Sequence, residues 1–475
     1  MIRVGDAAKA PEFPVAAKRA LGNDQLRRNV RRATEIIRTK RATVVGEMPD
    51  WEALRETAHA IKDHVLRHLD FYLEQFEDAC TRAGGTVHWA RDADEANRIV
   101  IAIVQQHHER EIIKVKTMTS DETRLNRALE EAGILPYETD LADLIIQLGE
   151  DRPSHIVVPA LHKNRAEIRE LFQRTMKLAS LGPEPEDLTS AARAFLREKF
   201  LRVKVGFSGA NFAIADSGSV CVVESEGNGR MCVTLPQLLV TLVGIEKIIP
   251  SFGDLEVFLQ LLSRSATGER MNPYNSIWTG VTADDGPHEF HVVLLDNGRT
   301  TVLADEQSRE TLDCIRCGAC LNACPVYRQT GGHAYGSIYS GPIGAILTPQ
   351  LQSMDHSRSL PYASSLCGAC YEVCPVKIDI PEILIHLRQR IVERGGAPLA
   401  ERIAMTAAGF ALADAGRFSA AQKLARAAQW PFERAGHLEY LPPPLNAWTK
   451  TRDLPAMPRQ SFRDWWASRE RAGDR

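Results

Sequence analysis

The stretch TLDCIRCGACLNACPVYRQ, residues 311–329, contains four of the ten cysteines in a chain of 475 residues. Their spacing is C-x2-C-x2-C-x3-C followed directly by proline, and the members are Cys314, Cys317, Cys320 and Cys324. This run is typical of bacterial ferredoxins, in which the first three thiolates bind one iron–sulfur cluster and the fourth binds another. Soft thiolates are suitable ligands for such clusters. The stretch therefore predicts a two-cluster domain.

A second stretch, SSLCGACYEVCPVKIDIP at residues 364–381, nearly repeats the first but has one cysteine fewer. Because the last cysteine of each run serves the other cluster, we expect Cys374 to complete the first cluster and Cys324 to join the second. The predicted ligands of cluster 1 are Cys314, Cys317, Cys320 and Cys374. Those of cluster 2 are Cys324, Cys367 and Cys370.

Cluster 2 is one thiolate short, because Ser364 stands where the leading cysteine is expected. It is either a [4Fe-4S] cluster with a fourth ligand other than cysteine, or a [3Fe-4S] cluster. The protein candidates for that ligand are Ser364, Ser365, His333 and His356, beside water or a group from a partner. Structural zinc also accepts sets of four cysteines. A four-cysteine run ending in proline and followed by a near copy favours iron–sulfur clusters, most simply two [4Fe-4S].

The remaining sequence divides into four parts. Residues 1–80 have helical periodicity, and residues 81–304 alternate short apolar runs with helical patterns, as in TVHWA before DADEANRIVIAIVQQHH. That alternation predicts an α/β domain with a largely parallel sheet, on which the N-terminal helices pack. Residues 305–395 contain the cysteines of the two motifs. The 42 residues between the motifs look helical, which indicates an all-α ferredoxin-like domain. Residues 396–475 form a helical segment and an extended tail.

Composition excludes several classes of protein. The net charge of −3 indicates no nucleic-acid partner. The sequence contains no run of eighteen apolar residues, so it predicts no membrane span. The N-terminus lacks the apolar core of a secretory signal. We therefore expect a cytoplasmic protein, with attachment to a membrane only through partners. Three lone cysteines lie within helix or strand patterns and are interpreted as buried apolar residues, namely Cys80, Cys221 and Cys232.

A glycine-rich stretch, GFSGANFAIADSGSVCVVESEGNG, has no nucleotide-binding spacing. Its glycines indicate either a set of tight turns or a small-ligand or partner site. The candidate residues of such a site are Asn211, Asp216, Glu224 and Asn228. Ligands in doubly wound sheets bind beyond the carboxyl ends of the strands, so Lys114, Lys116 and Ser120 are candidates for the same cleft.

The sequence resembles the lactate-utilization iron–sulfur protein family over nearly its whole length. The similarity includes ETDLADLIIQL, PSHIVVPALHKNR, GANFAIADSGS, ESEGNGR, the two cysteine motifs with YSGPIGAIL between them, and SFRDWW near the end. It implies that the α/β part is a LUD domain, similar to sugar-phosphate isomerase and CoA-transferase-like folds. It also implies that three cysteines hold the second cluster.

The resemblance further implies an electron-transfer component for oxidation of L-lactate to pyruvate. Its expected partners are a cysteine-rich protein, a smaller LUD-domain protein and an unidentified electron acceptor. No flavin or nicotinamide motif is present in the sequence, so the catalytic residues are not assigned. The alternatives are a self-contained hydroxy-acid oxidoreductase, with substrate in the LUD cleft or at the three-cysteine cluster, and a redox sensor.

Overall fold

The computed structural model describes residues 11–396, 399–443 and 445–473, with side chains up to residue 469. The chain forms two units, of which the first ends at Arg394 and the second begins at Gly395. In the described part of the chain, no helix is both long and apolar enough to cross a membrane.

The chain starts with four helices, α1 (Phe13–Leu21), α2 (Asp24–Gly46), α3 (Trp51–Arg67) and α4 (Leu69–Arg82). The side chain of Asn23 accepts a hydrogen bond from the Leu26 amide and so caps α2. The apolar faces of these helices pack against the α/β domain and also against the cysteine-bearing segment. The N-terminal helices therefore connect the two parts that follow them.

The α/β domain is built on a six-stranded parallel sheet, as the strand–helix alternation predicts. Its strands, together with those of a smaller sheet, are β1 (Thr86–Ala90), β2 (Glu111–Lys114), β3 (Leu135–Glu138), β4 (Val205–Gly209), β5 (Phe212–Ile214), β6 (Ser219–Glu224), β7 (Leu238–Gly244), β8 (Ile248–Ile249), β9 (Tyr274–Trp278) and β10 (Glu289–Leu295). The order in the large sheet is β1-β10-β7-β4-β2-β3, with every pair parallel.

Helices cover the large sheet and connect its strands. They are α5 (Ala93–Gln106), α6 (Met118–Thr123), α7 (Leu125–Glu131), α8 (Leu141–Leu148), α9 (Arg165–Thr175), α10 (Pro185–Arg202), α11 (Asn228–Thr234), α12 (Phe252–Ala266) and α13 (Arg299–Leu303). Strands β4 and β7 are buried along their whole length, as expected for the interior of a parallel sheet.

The smaller sheet has the order β8-β5-β6-β9 and contains most of the glycine-rich stretch. At its β5–β6 turn, Gly218 has a φ of +66°, and a Cβ there would lie 2.1 Å from the amide nitrogen of Cys80. This turn therefore requires glycine. Cys80, Cys221 and Cys232 are fully buried, as predicted, and burial raises the pKa of each to about 12.

The cysteine-bearing segment consists of short helices with 3₁₀ turns between them. Its α-helices are α14 (Ala319–Ala323), α15 (Tyr327–Thr330), α16 (Gly341–Leu351), α17 (Met354–Ser357), α18 (Ala369–Glu372) and α19 (Ile380–Glu393). It shares one hydrophobic core with α2, α3 and α12. The four-part domain division stays a prediction.

The second unit contains more regular structure than the predicted helix and tail. Its elements are α20 (Leu399–Leu412), α21 (Ala415–Gln429), β11 (Glu433–Arg434), β12 (His437–Leu438), α22 (Asn446–Thr449), β13 (Leu454–Pro455) and α23 (Phe462–Gly473). The three strands pair antiparallel in the order β11-β12-β13.

A buried charge network joins the three parts of the first unit. Glu246, just after β7, binds Arg299 Nε through Oε2 and accepts a hydrogen bond from Arg316 Nη2 at 3.1 Å through Oε1. Lys62 donates to the Glu246 carbonyl oxygen. Burial acts to raise the pKa of Glu246, but Arg299 and Arg316 outweigh it and hold that pKa at about 2. Glu246 is therefore ionised at neutral pH.

Replacing Glu246 by Gln should lower the free energy of unfolding by about 3 kcal/mol, because the buried Arg316 loses its counter-charge and Arg299 keeps only that of Glu122. Anaerobic urea unfolding of the full chain measures this. The control is Asp63→Asn, because the Asp63–Arg67 pair is largely exposed and its loss should cost about 0.5 kcal/mol or less. Equal losses in the two variants would contradict a central role for Glu246.

Candidate iron–sulfur centre and the adjoining cleft

The seven motif cysteines form two neighbouring groups of thiols. Burial raises the pKa of Cys317, and next to burial the Cys374 and Cys314 thiols raise it further. Burial also raises the pKa of Cys320, and the Cys314 and Cys317 thiols raise it further. We call Cys314, Cys317, Cys320 and Cys374 the inner set.

The remaining motif thiols influence one another in the same way. Burial raises the pKa of Cys370 to about 12, and Cys324 and Cys367 add to the shift. We call Cys324, Cys367 and Cys370 the outer set. Cys370 also raises the pKa of Cys320, so the two sets adjoin. Which thiols bind which cluster stays a prediction.

The two motifs have matching backbone conformations. Arg316 and Gly318 have positive φ values of 62° and 74°, and the equivalent residues Leu366 and Gly368 have 53° and 82°. Each glycine precedes a short helix that carries the next cysteine, α14 in the first motif and α18 in the second. The sequence repeat is therefore a structural repeat, in which left-handed residues turn the loop around its thiols.

The spacing of the sulfur atoms does not favour a single zinc ion held by three or more of these cysteines. Any three of the cysteine sulfurs, all within the described residues, include a pair more than 4.8 Å apart. Tetrahedral zinc with bonds of about 2.3 Å would bring its thiolates to about 3.8 Å from one another. A cluster, which places its own iron and sulfide between the cysteines, does not require its thiolates to lie so close together. The donor set thus fits iron–sulfur clusters.

Cationic side chains lie around the inner set. The members are Arg41, Arg55, Lys62, Lys247 and Arg316, each close enough to an inner-set thiol to interact with it electrostatically. Arg55 donates to the Cys374 carbonyl oxygen at 2.8 Å, and Arg41 donates to that of Val373 at 3.0 Å. The positive charge of these five side chains would stabilise an anionic cluster at the inner set, most strongly in the reduced state of the cluster.

The outer set lies closer to solvent. Cys367 is exposed, whereas Cys324 and Cys370 are buried. The side chains of Leu366 and Tyr371, next to Cys367 and Cys370 in the chain, are also exposed. A partner can therefore approach the outer set directly.

The candidate fourth ligands of the second cluster lie in different surroundings. Ser364 Oγ accepts a hydrogen bond from the Leu366 amide at 3.1 Å, and Cys314 Sγ accepts one from the Arg316 amide at 3.4 Å. Ser364 thus occupies the position equivalent to Cys314. Ser365 is exposed.

The two histidine candidates both line a different cavity, away from the LUD cleft. His333 Nε2 lies 2.8 Å from the Arg152 carbonyl oxygen, and its ring packs on His162. His356 is exposed and lines a cavity together with His333 and Glu122. Neither environment favours them over Ser364.

A cavity of about 460 Å³, which we call the LUD cleft, lies at the carboxyl ends of β2, β4 and β7 and reaches Cys317. Four of the sequence candidates line it, namely Lys116, Asn211, Glu224 and Asn228. Asp216 does not line this cavity, and its carboxylate accepts a hydrogen bond from the Phe252 amide at the start of α12.

Two other candidates also lie outside the LUD cleft. Lys114 forms a buried ion pair with Glu138 at 2.7 Å, and Ser120 lines a neighbouring cavity. The LUD cleft is also lined by Lys247 and Arg316, which were not among the residues predicted from the sequence. A signal for Lys247 existed, since Glu246 and Lys247 interrupt the apolar run TLVGIEKIIP.

Comparison with known proteins agrees with this arrangement. Residues 73–295 match the LUD domain, residues 310–378 the 4Fe-4S dicluster domain, and residues 386–471 the C-terminal domain of lactate utilisation protein B. The chain is 45% identical to lactate utilization protein B of Bacillus subtilis, covering 96% of each protein. It is 44% identical to that of Bacillus velezensis, covering 99% of this chain and 98% of the relative.

Among solved structures, a DUF162 family protein from Deinococcus radiodurans matches 48% of this chain and 98% of its own length, at 13% identity and a TM-score of 0.28. A LUD domain followed by a 4Fe-4S dicluster domain defines the chain as an iron–sulfur protein. The chain belongs to the lactate utilization protein B family, which confirms the resemblance found in the sequence.

Replacing Lys62 by Met should lower the reduction potential of the inner cluster, because a positive charge that favours the reduced state is removed. The expected change is some tens of millivolts, the order for one nearby charge at an effective dielectric constant of about 20. An EPR-monitored redox titration measures it.

The control for this measurement is Lys204→Gln, since Lys204 is a largely exposed residue paired with Glu109. It should leave both potentials unchanged. An unaltered inner-cluster potential in Lys62→Met, with the cluster still present, would contradict the role assigned to the buried cations.

Proposed function

We propose that this chain is the iron–sulfur electron-transfer component of a multi-protein system that oxidises L-lactate to pyruvate. Its relatives are named lactate utilization protein B, and its dicluster domain provides sites for single-electron carriers. We expect it to act in the cytoplasm with two companions, one cysteine-rich and one a smaller LUD-domain protein. Their electron acceptor is unidentified.

One observation carries this proposal, namely that two adjoining thiol sets differ in exposure. The inner set adjoins the LUD cleft through Cys317, and the outer set reaches solvent at Cys367. Oxidation of lactate releases two electrons and two protons. Two iron–sulfur clusters at these sets would each accept and pass on single electrons, with one end of the path inside the protein and the other at its surface.

The protein's own residues hold this path in position. We propose that residues 305–395 act as an all-α ferredoxin-like domain, with Cys314, Cys317, Cys320 and Cys374 holding cluster 1 and Cys324, Cys367 and Cys370 holding cluster 2. Arg55 and Arg41 fix the backbone at Cys374 and Val373. The self-contained oxidoreductase and the redox sensor are less well supported, because neither explains a surface-accessible second set.

Ser364 is the protein ligand that we propose for the fourth position of cluster 2. Its hydroxyl accepts the same i+2 amide hydrogen bond as the Cys314 sulfur, within the same left-handed loop. The Ser364 oxygen therefore stands in the place of the missing sulfur. This supports a second cluster of the [4Fe-4S] type.

Anaerobic reconstitution should then give about eight irons per chain. Ser364→Ala should reduce the content to about seven irons and give a three-iron EPR signal in the oxidised protein, because one corner of cluster 2 loses its ligand. Ser364→Cys should retain about eight irons. Iron and sulfide analysis with EPR before and after dithionite provides the measurement.

Ser365→Ala is the matched control, since it removes a neighbouring hydroxyl and should leave the iron content unchanged. A wild-type content of about seven irons would contradict the [4Fe-4S] assignment of cluster 2. Retention of the full content by Ser364→Ala would show that the ligand is another group.

Electron transfer itself is tested with L-lactate and an artificial acceptor. The isolated chain should give no turnover, and addition of both companions should start it. Cys370→Ala should return turnover to background, because cluster 2 loses a thiolate, while the inner-cluster EPR signal persists. Cys80→Ala, which removes a thiol outside both sets, should retain turnover.

Turnover by the isolated chain would overturn the relay function in favour of a self-contained enzyme. Full turnover by a Cys370→Ala protein that lacks cluster 2 would exclude this cluster from the electron path.

A further inference from the structure

Lys247 is a buried cation in the LUD cleft, and no carboxylate of the described residues forms an ion pair with it. It is only 9% exposed, it lines the cavity, and among the described residues its ammonium has no hydrogen-bond or ion-pair partner. Burying an unpaired ammonium is unfavourable. A bound anion in the cavity would supply the missing partner.

Asn228 presents an unsatisfied acceptor to the same cavity. Its Nδ2 donates to Thr139 Oγ1 at 3.1 Å, and Thr139 in turn donates to the Lys114 carbonyl oxygen. These contacts fix the orientation of the amide. Asn228 Oδ1 is buried and has no hydrogen-bond partner in the described structure. It is therefore available to a ligand that donates a hydrogen bond.

The other charged groups of the cleft already have partners, and Asp140, which also lines it, accepts hydrogen bonds from the backbone amides of residues 142 and 143. Lys116 pairs with Asp143 at 3.3 Å, and Glu269 pairs with Lys40 at 3.2 Å. The Glu224 carboxylate accepts hydrogen bonds from three backbone amides, those of residues 226, 227 and 230. Lys247 thus remains as the group that selects the charge of a ligand.

The end of the cleft nearest the thiols is also cationic. Arg316 binds Glu246 through Nη2, while its buried Nη1 has no partner among the described residues. Arg316 and Cys317 both line the cavity. A ligand held by Lys247 would therefore share its cavity with an inner-set thiol. The cavity volume of 460 Å³ falls within the usual range of about 300–1,000 Å³ for small-molecule sites.

We propose that the LUD cleft is a binding site for a small hydroxycarboxylate, whose carboxylate pairs with Lys247 and whose hydroxyl donates to Asn228 Oδ1. A carboxylate alone would satisfy the cation, but only a hydroxyl-bearing acid also satisfies the amide oxygen. The choice of L-lactate as the probe rests on the proposed function, whereas the site itself rests on these contacts. Binding here involves no turnover by the isolated chain.

The test is isothermal titration calorimetry with the anaerobically reconstituted full chain. L-lactate should bind once per chain, and pyruvate and acetate should bind more weakly because they lack the hydroxyl. Lys247→Met should lower the affinity for L-lactate about tenfold or more, the usual effect of losing a hydrogen bond to a charged group. Asn228→Leu should reduce lactate binding to the level of acetate.

Lys62→Met is the matched control, because Lys62 is a buried ammonium close to Cys314 that does not line the LUD cleft. It should retain lactate binding. If Lys247→Met does not fold, Ala210→Phe offers a second variant, since Ala210 lines the cavity and a phenyl ring there would fill it. Circular dichroism and iron content establish that each variant is intact.

Absence of lactate binding to the wild-type holoprotein would overturn the proposal. Equal loss in Lys62→Met and Lys247→Met would overturn it too, because the lysines would then act only on the charge of the cluster. Equal affinity for lactate and acetate would eliminate the hydroxyl contact. Failure of binding with electron relay intact contradicts this site alone, whereas loss of relay with binding intact contradicts the proposed function.

Discussion

The structure depends most on one buried carboxylate, that of Glu246. It binds Arg299 from its own domain and Arg316 from the first cysteine motif, and its backbone carbonyl accepts a hydrogen bond from Lys62 of the N-terminal helices. Arg299 also binds Glu122, which accepts a hydrogen bond from Tyr339 of the cysteine-bearing segment. Buried ions are costly unless oppositely charged groups pair with them, and Arg299 and Arg316 pair with Glu246 in this way. The network therefore fixes how the sheet and the thiols meet.

The same network determines the surroundings of the inner set. Arg316 lies between two inner-set cysteines, so the contact that joins the domains also brings a guanidinium beside the thiols. Lys247 follows Glu246 in the chain, and its positively charged side chain lines the LUD cleft. A few residues after β7 consequently join the parts of the first unit, place positive charge beside the inner set and line the LUD cleft.

The sequence predicted what depends on local spacing. The cysteine runs, the strand–helix alternation and the residues at strand ends are local patterns, and they correctly predicted a parallel sheet and four residues of its cleft. The Glu246–Arg299–Arg316 contacts join residues 53 and 70 positions apart, and no local pattern encodes such a pairing. Asp216 looked equivalent to Asn211, but it lies at the far end of a hairpin and contacts the start of α12. Glu246 and Lys247 visibly interrupt an apolar run of the sequence. This interruption indicates a break in hydrophobicity, but it does not identify the groups that the two charges bind.

The inner and outer sets differ in solvent exposure, and this difference has a consequence for the assembly of clusters. Helices α2 and α3 are synthesised first, yet their arginines close over the backbone at Val373 and Cys374, which leaves the ribosome some three hundred residues later. A cluster bound by the inner set would therefore have to be delivered before this closure is complete, because three of the four thiols are buried afterwards. The outer set, open at Cys367, can be loaded and reloaded in the folded protein. We therefore expect oxidative loss and reloading of a cluster to occur more readily at the outer set than at the inner set.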